Sequence, residues 1–201
     1  KRKPLKEQLS VLKKMLKENF NVVSMSNDVQ LIKISEYPSQ KIEKLKSIFW
    51  ESSVKTDFES EKKKSEFEYK YFDFYVKYFP HLSFAIESDN HPIGYLLGAD
   101  QTTPYLDQLE MQKYVAEFED IFATYPAHFH INLSENARGK GCGQIALQEL
   151  FKILTDQNCP GVHVITALEH PSQKFYEKNG LAPLKTMKIS ATQIVILVKS
   201  L

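Results

Sequence analysis

The 201-residue sequence is short of cysteine and glycine, carries almost no net charge and has no long apolar run. Its two cysteines are too few for a disulfide framework or a cysteine-based zinc site, so we expect no metal and a reducing, cytoplasmic location. No apolar run approaches the roughly 18–20 residues that cross a bilayer. A net charge of +1 gives no electrostatic reason to expect nucleic acid or an anionic membrane as a partner. We therefore expect neither.

The N-terminal 20 residues differ from the rest in charge. They contain seven Lys or Arg and two Glu, a local net charge of +5, and their apolar residues recur at steps of three and four. This pattern predicts an amphipathic helix with a basic face. We predict an N-terminal helical extension over residues 1–24 and one domain over residues 25–201. The basic face has two interpretations, a solvated surface or a docking helix for a partner.

The larger part of the chain alternates strand and helix signals, as expected of a single mixed α/β domain. Val29–Ile34 is β-branched and alternating, and Ser39 is a candidate N-cap for a helix after it. The segment Ser88–Pro92 is a turn signal between two apolar runs and predicts a β-hairpin. Further strands are predicted at residues 128–133, 162–167, 184–189 and 193–198, and helices at 104–125, 144–156 and 172–178.

Three of the seven glycines fall in one turn, Arg138-Gly139-Lys140-Gly141-Cys142-Gly143, between a predicted strand and a predicted helix. The first N–H groups of a helix have no intrahelical acceptor, and the helix dipole makes that end partly positive. Glycines let several of these amides approach one anion, so the turn predicts a phosphate or pyrophosphate site. The spacing does not fit a Walker A loop, because no Ser or Thr follows a Gly-Lys pair, nor the G-x-G-x-x-G dinucleotide motif.

The spacing Arg138-x-x-Gly141-x-Gly143 resembles the R/Q-x-x-G-x-G/A motif of the GNAT superfamily of N-acetyltransferases. The runs Ile93–Gly98 and Phe175–Leu181 resemble two further elements of that family, and the three matches together cover about residues 29–201. The segment Tyr125–His130 also resembles acetyltransferase-like domains found beside some glycosidases. The resemblance implies an α/β fold with a mixed, mostly antiparallel twisted sheet flanked by helices, to which the N-terminal helix is an addition.

The resemblance also implies the co-substrate, acetyl-CoA, and direct transfer of its acetyl group to a primary amine in a ternary complex. A strand end would bind the pantetheine arm, the glycine turn would bind the pyrophosphate, and a backbone N–H near Leu133 would polarise the thioester carbonyl. The implied cofactor-binding residues are Ile131, Asn132, Leu133, Arg138, Gly139, Lys140, Gly141, Cys142, Gly143 and Gln144. Cys142 is expected to pack as a small side chain and not to act as a nucleophile.

Two proton-transfer roles follow from the resemblance and the strand pattern. Tyr176 aligns with the family tyrosine that protonates the departing CoA thiolate, and a phenol is protonated at neutral pH. His130 shares one strand face with His128 and Asn132, and we predict that it serves as the base. The alternative is that both histidines are buried and hydrogen-bonded for packing.

Two carboxylates, Asp100 and Glu169, are weaker candidates for the base. The sequence also departs from the family pattern at two positions. Glu169 replaces the usual Asn, and Ser172 replaces the usual Ala. We expect the turn to bind its ligand despite these changes, with an altered local geometry.

The acceptor site is implied to lie within residues 49–79, where the sequence is rich in aromatic residues. Most of these rings are expected to pack in the core. A few would wall an amine pocket, because ring faces can bind a cation, and we expect a small amine or amino sugar as the acceptor. The alternatives are a protein-lysine or N-terminal acetyltransferase, and a non-catalytic acyl-CoA-binding regulatory module. A homodimer is compatible with each of these.

Overall fold

The structure, a computed structural model, describes residues 29–53, 55–103, 106, 112–189 and 192–201. The predicted N-terminal helix at residues 1–24 lies outside them. The described strands form a seven-stranded sheet in the order β1-β2-β3-β4-β5-β7-β6. Among the described residues, no helix has the length and apolar character to cross a membrane.

The strands are β1 (Gln30–Lys33), β2 (Ser83–Ser88), β3 (His91–Ala99), β4 (Ala127–Leu133), β5 (Gly161–Ala167), β6 (Ala182–Ile189) and β7 (Thr192–Ser200). The helices are α1 (Ser39–Ser52), α2 (Glu61–Glu68), α3 (Phe74–Tyr78), α4 (Gln112–Thr124), α5 (Cys142–Asp156) and α6 (Pro171–Lys178), and a π-helical turn at Tyr69–Asp73 joins α2 to α3. The paired strands are antiparallel except for β4 and β5, which confirms the predicted mixed, mostly antiparallel sheet.

For most of these elements, the bounds predicted from the sequence agree with those in the structure to within one or two residues. The predicted hairpin is β2–β3, and its two-residue turn is Asp89-Asn90, with φ of 51° and 64°. Asp and Asn tolerate this left-handed region better than other side chains, which is why the pair makes a tight hairpin turn. Ser39 does not cap α1, because the helix begins at Ser39 and Pro38 takes the cap position without a side-chain hydrogen bond.

The parallel pair at the centre of the sheet is paired over only a short length. The β4–β5 register is limited to Ala127 with Val162 and His128 with His163, although each strand has seven residues. Beyond these pairs β4 stays bonded to β3 and β5 stays bonded to β7. The carboxyl halves of β4 and β5 therefore diverge, and among the described residues the facing edge of β4 has no strand partner from Phe129 onward.

Apolar side chains cover both faces of the sheet. On one face α1, the π-helical turn and α3 pack on β3, with Leu45, Phe72 and Tyr95 fully buried. On the other face α5 packs on β4, and its buried residues recur at steps of three and four, as an amphipathic helix requires. A hydrophobic core therefore packs on each face of the sheet. The gap between β4 and β5 lies in the sheet that separates the two cores.

Candidate active site

A cavity of about 650 Å³ lies beside the unpaired end of β4. The end of β4, the glycine turn, the start of α5, the end of α1 and the helix α6 form its wall. The lining residues are Glu51, Ser52, Ile131, Asn132, Leu133, Arg138, Gly139, Gly141, Cys142, Gly143, Gln144, His170, Pro171, Ser172, Lys174, Phe175, Tyr176, Lys178 and Asn179.

The glycine turn leaves the start of α5 open to the cavity. Gly139 and Gly141 have φ of 72° and 85°, a left-handed conformation that costs glycine little. Gly141 is the N-cap of α5 and supplies no side-chain hydrogen bond, and the first intrahelical bond runs from the N–H of Ile145 to the carbonyl of Gly141. The amides of residues 142–144 are thus without helical acceptors at the positive end of the helix dipole, which suits an anion.

Arg138 connects three parts of the cavity wall. Its Nε donates a hydrogen bond to the carbonyl of Leu133 at 3.0 Å, and its Nη2 lies 3.5 Å from Oγ of Ser52 at the end of α1. Lys174 and Lys178 add positive charge from α6. Arginine, lysine and open amides are the groups that bind phosphate in proteins, so this end of the cavity favours a phosphorylated ligand.

Tyr176 lies at the inner wall of the cavity and is only 7% exposed. Its ring packs edge-on against Phe129, with 5.7 Å between ring centroids, and against Phe175. Burial raises the pKa of its phenol to about 12, so the group is protonated at neutral pH. A protonated hydroxyl in a cavity wall is able to donate a proton to a strongly basic leaving group.

The histidines of β4 lie on the sheet face that packs under α3. Oη of Tyr75 lies 2.8 Å from Nε2 of His128 and 2.9 Å from Nε2 of His130. Burial, with the nearby His163 and Lys70, lowers the pKa of His130 to about 4. Burial, together with His163 and His130, also lowers the pKa of His128. Both rings are therefore neutral at physiological pH.

Most of the predicted cofactor residues lie together. Nine of the ten line the cavity, and Lys140 is exposed and outside its wall. Tyr176 lines the cavity and His130 does not, although Asn132, on the same face of β4, does. Cys142 is buried at 6% exposure, as expected of a small packing side chain.

The weaker candidates lie elsewhere. Asp100 lies 3.4 Å from the ring of His81, and the backbone of Glu169 is left-handed with φ of 62°. Nδ1 of His170 accepts a hydrogen bond from the backbone N–H of Ser172 and so caps α6. Ser172, which stands where the family pattern has Ala, is hydrogen-bonded to Thr166, at 2.8 Å between the two hydroxyl oxygens.

Sequence reasoning missed several residues of the wall. Pro171, Lys174, Phe175 and Lys178 are spaced three and four apart around Tyr176, so helical periodicity was a signal that could have found them. The end of α1 joins the cavity through tertiary packing, and no local pattern announces it.

Comparison with known proteins supports the same interpretation. A family model described as "Acetyltransferase (GNAT) family" matches residues 42–181. The solved structure of SsHAT is 19% identical, with a TM-score of 0.64, over 86% of this chain and 98% of that one. The NatC complex bound to Gag peptide and CoA is 11% identical, with a TM-score of 0.60, over 87% of this chain and 99% of that one. A mutant agmatine N-acetyltransferase is 10% identical, with a TM-score of 0.58, over 87% of this chain and 100% of that one.

At these identities the solved structures show the fold alone, while the family model spans more than half of the sequence. The resemblance to glycosidase-associated domains stays a prediction. The sheet that diverges between β4 and β5, the glycine turn at the start of α5 and the family match lead to one conclusion. The chain belongs to the acetyltransferase (GNAT) family.

Proposed function

We propose that the protein moves an acetyl group from acetyl-CoA to a primary amine by direct transfer in a ternary complex. The observation that carries the proposal is the cavity, where an unpaired strand edge, an uncapped helix start and a buried phenol meet. These three features match the three parts of acetyl-CoA, which are the amide-containing pantetheine arm, the pyrophosphate and the thioester. Acetyl-CoA would supply the activated acyl group.

The direction of the strand amides supports binding of the pantetheine arm. The N–H of Ser134 donates to the carbonyl of Ile93 on β3 at 2.9 Å. Because successive backbone groups of a strand point to opposite sides, the N–H and carbonyl groups of Leu133 and Ile131 point away from β3, into the gap. An arm with its own amides can pair with this edge as a short strand does.

The pyrophosphate would bind the open amides of residues 142–144, with Arg138 near them. Lys174 and Lys178 would contribute from α6. Their charge stabilises a phosphorylated ligand by Coulomb attraction, and the fixed amides add directional hydrogen bonds.

The reaction needs an oxyanion donor and an acid at the thioester. The amine nitrogen attacks the carbonyl carbon, and the N–H of Leu133 would donate to the oxygen on which negative charge develops. The C–S bond then breaks, and the thiolate would take the proton of the Tyr176 hydroxyl. The proton lost by the amine would pass to His130, directly or through water.

The rings near the end of α1 support an amine acceptor. Trp50, Phe58 and Phe67 contact one another with centroids 5.3–6.0 Å apart, and Phe67 contacts Tyr71, which makes an edge-on contact with the ring of His130. Lys55 and Lys64 already lie over the ring faces of Phe58 and Trp50, so the cluster would contact the aliphatic part of an amine, next to the carboxylate of Glu51. We therefore propose a small amine or amino sugar as the acceptor.

Two measurements test the proposal. Acetyl-CoA should raise the melting temperature, because a ligand that binds only the folded state stabilises it. Release of free thiol should then depend on an amine, in a panel of diamines, amino sugars and peptides with a free N-terminus or lysine. Turnover only with peptides would favour a protein acetyltransferase, and stabilisation without turnover on any amine would favour a non-catalytic acyl-CoA-binding module.

The variant Tyr176→Phe separates catalysis from binding. We expect a loss of kcat on the order of 100-fold, with the melting shift by acetyl-CoA preserved, because general acids contribute on that scale. Tyr125→Phe, at a half-buried tyrosine outside the cavity wall, is the matched control. An unchanged rate in Tyr176→Phe would remove Tyr176 from the acid role.

A further inference from the structure

A continuous chain of hydrogen bonds runs behind the histidine face of β4. Oγ1 of Thr102 lies 2.7 Å from the carbonyl oxygen of Pro126 and 2.6 Å from Nδ1 of His128. Nε2 of His128 lies 2.8 Å from Oη of Tyr75, which lies 2.9 Å from Nε2 of His130. Thr102 and Tyr75 are 4% and 0% exposed, so the inner part of this chain is shielded from solvent.

The position of each proton along this series of hydrogen bonds follows from the bond between Thr102 and Pro126. The carbonyl of Pro126 can only accept, so Thr102 donates its single proton there, and its oxygen accepts from Nδ1–H of His128. His128 is neutral, because burial lowers its pKa, so its Nε2 carries no proton and accepts from the hydroxyl of Tyr75. Tyr75 has then used its only proton, and its oxygen accepts from Nε2–H of His130.

The consequence falls on the other nitrogen of His130. In a neutral ring with a proton on Nε2, Nδ1 has a free lone pair and is the basic atom. No hydrogen bond among the described residues involves this Nδ1, and no fully buried side-chain nitrogen among those residues lacks a partner, so Nδ1 is not fully buried. Asn132 lines the cavity and lies two positions along the same strand face, with about 6.6 Å of strand between the Cα atoms of the two residues.

We propose that Thr102, His128 and Tyr75 are positioning residues that hold His130 in its Nε2–H tautomer and so present Nδ1 to the acceptor amine. This inference rests on the proposed function. After the amine nitrogen bonds to the acetyl carbon, its N–H bond breaks, and the proton goes to Nδ1 directly or through water. The imidazolium then returns the proton to solvent, which its low pKa favours.

The tautomer can be measured without any substrate. Long-range 1H–15N spectra of histidine-labelled protein separate protonated from unprotonated ring nitrogens. At neutral pH we expect the proton on Nδ1 of His128 and on Nε2 of His130. A proton on Nδ1 of His130, or an even mixture of its tautomers, would overturn the proposal whether or not the protein acetylates amines.

The substitution Thr102→Val tests whether the hydrogen bond at Thr102 sets the tautomer of His130. Valine cannot accept from Nδ1–H of His128, and a buried unpaired N–H is less tolerated than an unpaired acceptor, so the proton should move to Nε2. Nε2–H would donate to Tyr75, whose hydroxyl would turn to His130, and the proton of His130 would move to Nδ1. Thr102→Ser keeps the hydroxyl and should restore the native tautomers.

Activity supplies the second readout, with the amine that gives most thiol release in the panel. Thr102→Val should lower kcat about 10-fold or more, part of the effect of a general base, and leave the KM for acetyl-CoA unchanged. Tyr78→Phe, at an exposed tyrosine of α3, is the control and should change neither tautomer nor rate.

A folded Thr102→Val protein that keeps the native tautomers would refute the relay, and reversed tautomers with an unchanged kcat would refute its catalytic role. If Thr102→Val does not fold, Tyr75→Phe replaces it. That change removes the acceptor of Nε2–H, so His130 should show mixed tautomers and the same loss of kcat. Native tautomers or an unchanged rate in Tyr75→Phe would overturn the proposal equally.

Discussion

Mild acid should destabilise this protein through buried histidines, and His163 gives the clearest case. Its side chain is 2% exposed, its ring stacks on Phe122 with 4.9 Å between centroids, and Nδ1 bonds to the carbonyl of Tyr125 at 2.7 Å. Burial lowers its pKa to about 4 from an ordinary value of 6.5, against a smaller opposite effect of that hydrogen bond. His130 is lowered to a similar value.

The sign and size of the effect follow from proton linkage. Between pH 6.5 and pH 4 the unfolded chain binds a proton at His163 that the folded chain does not, so the free energy of unfolding falls as pH falls through this window. From pH 7 to pH 5 the loss is about 2 kcal/mol for one such histidine. His130 adds a similar amount, about 4 kcal/mol for the two together.

The assay is urea denaturation at pH 7 and pH 5, followed by the fluorescence of Trp50, the single tryptophan. His163→Asn keeps an N–H donor for the Tyr125 carbonyl and removes the titrating ring. We expect it to be less stable than the natural chain at pH 7 but to lose about 2 kcal/mol less on going to pH 5. If both proteins lose the same free energy between the two pH values, the assignment of the acid sensitivity to His163 is refuted.

Three further predictions concern the turn, the core and a buried ion pair. Gly141→Ala places a Cβ at φ 85° and should cost about 1 kcal/mol of stability while weakening the melting shift by acetyl-CoA; a full shift would argue against the turn as the binding site. Leu150→Ala, at a fully buried position of α5, should lower the free energy of unfolding by about 2–5 kcal/mol without changing the KM for acetyl-CoA; an altered KM would show that the core and the site are coupled. Lys41→Met removes the cation 2.6 Å from the buried carboxylate of Glu87 and should cost about 2 kcal/mol in urea denaturation, and no loss would show that Tyr37 alone satisfies that carboxylate.

Local chemistry made the glycine turn predictable. A left-handed backbone and open amides need glycine at Gly139 and Gly141, and the following helix needs an apolar stripe, so both appear in the sequence as fixed spacings. The β2–β3 hairpin was predictable for the same reason, since Asp89-Asn90 is itself the turn. Nine of the ten predicted cofactor residues line one cavity because they lie in one strand–turn–helix unit.

Tertiary contacts account for what the sequence could not predict. Strand alternation placed His130 and His128 on one face, but not the covering side chain, Tyr75, which comes from a helix more than 50 positions earlier. The π-helical turn that carries Tyr71 toward His130 has no sequence signal of its own. The end of α1 in the cavity wall likewise depends on how that helix packs on the sheet.

The short pairing of β4 with β5 also has a mechanical meaning. The sheet consists of two leaves, β1–β4 and β5–β7, and the strand pairs that the described residues form between them are Ala127 with Val162 and His128 with His163. A ligand arm that pairs with the free edge of β4 would fill the gap between the two leaves, so the bound substrate would extend the hydrogen-bond pairing of the sheet. Departure of the product would then require the hydrogen bonds between the ligand arm and β4 to break. The rate of turnover would therefore depend on how easily the two leaves move apart about the two strand pairs that join them.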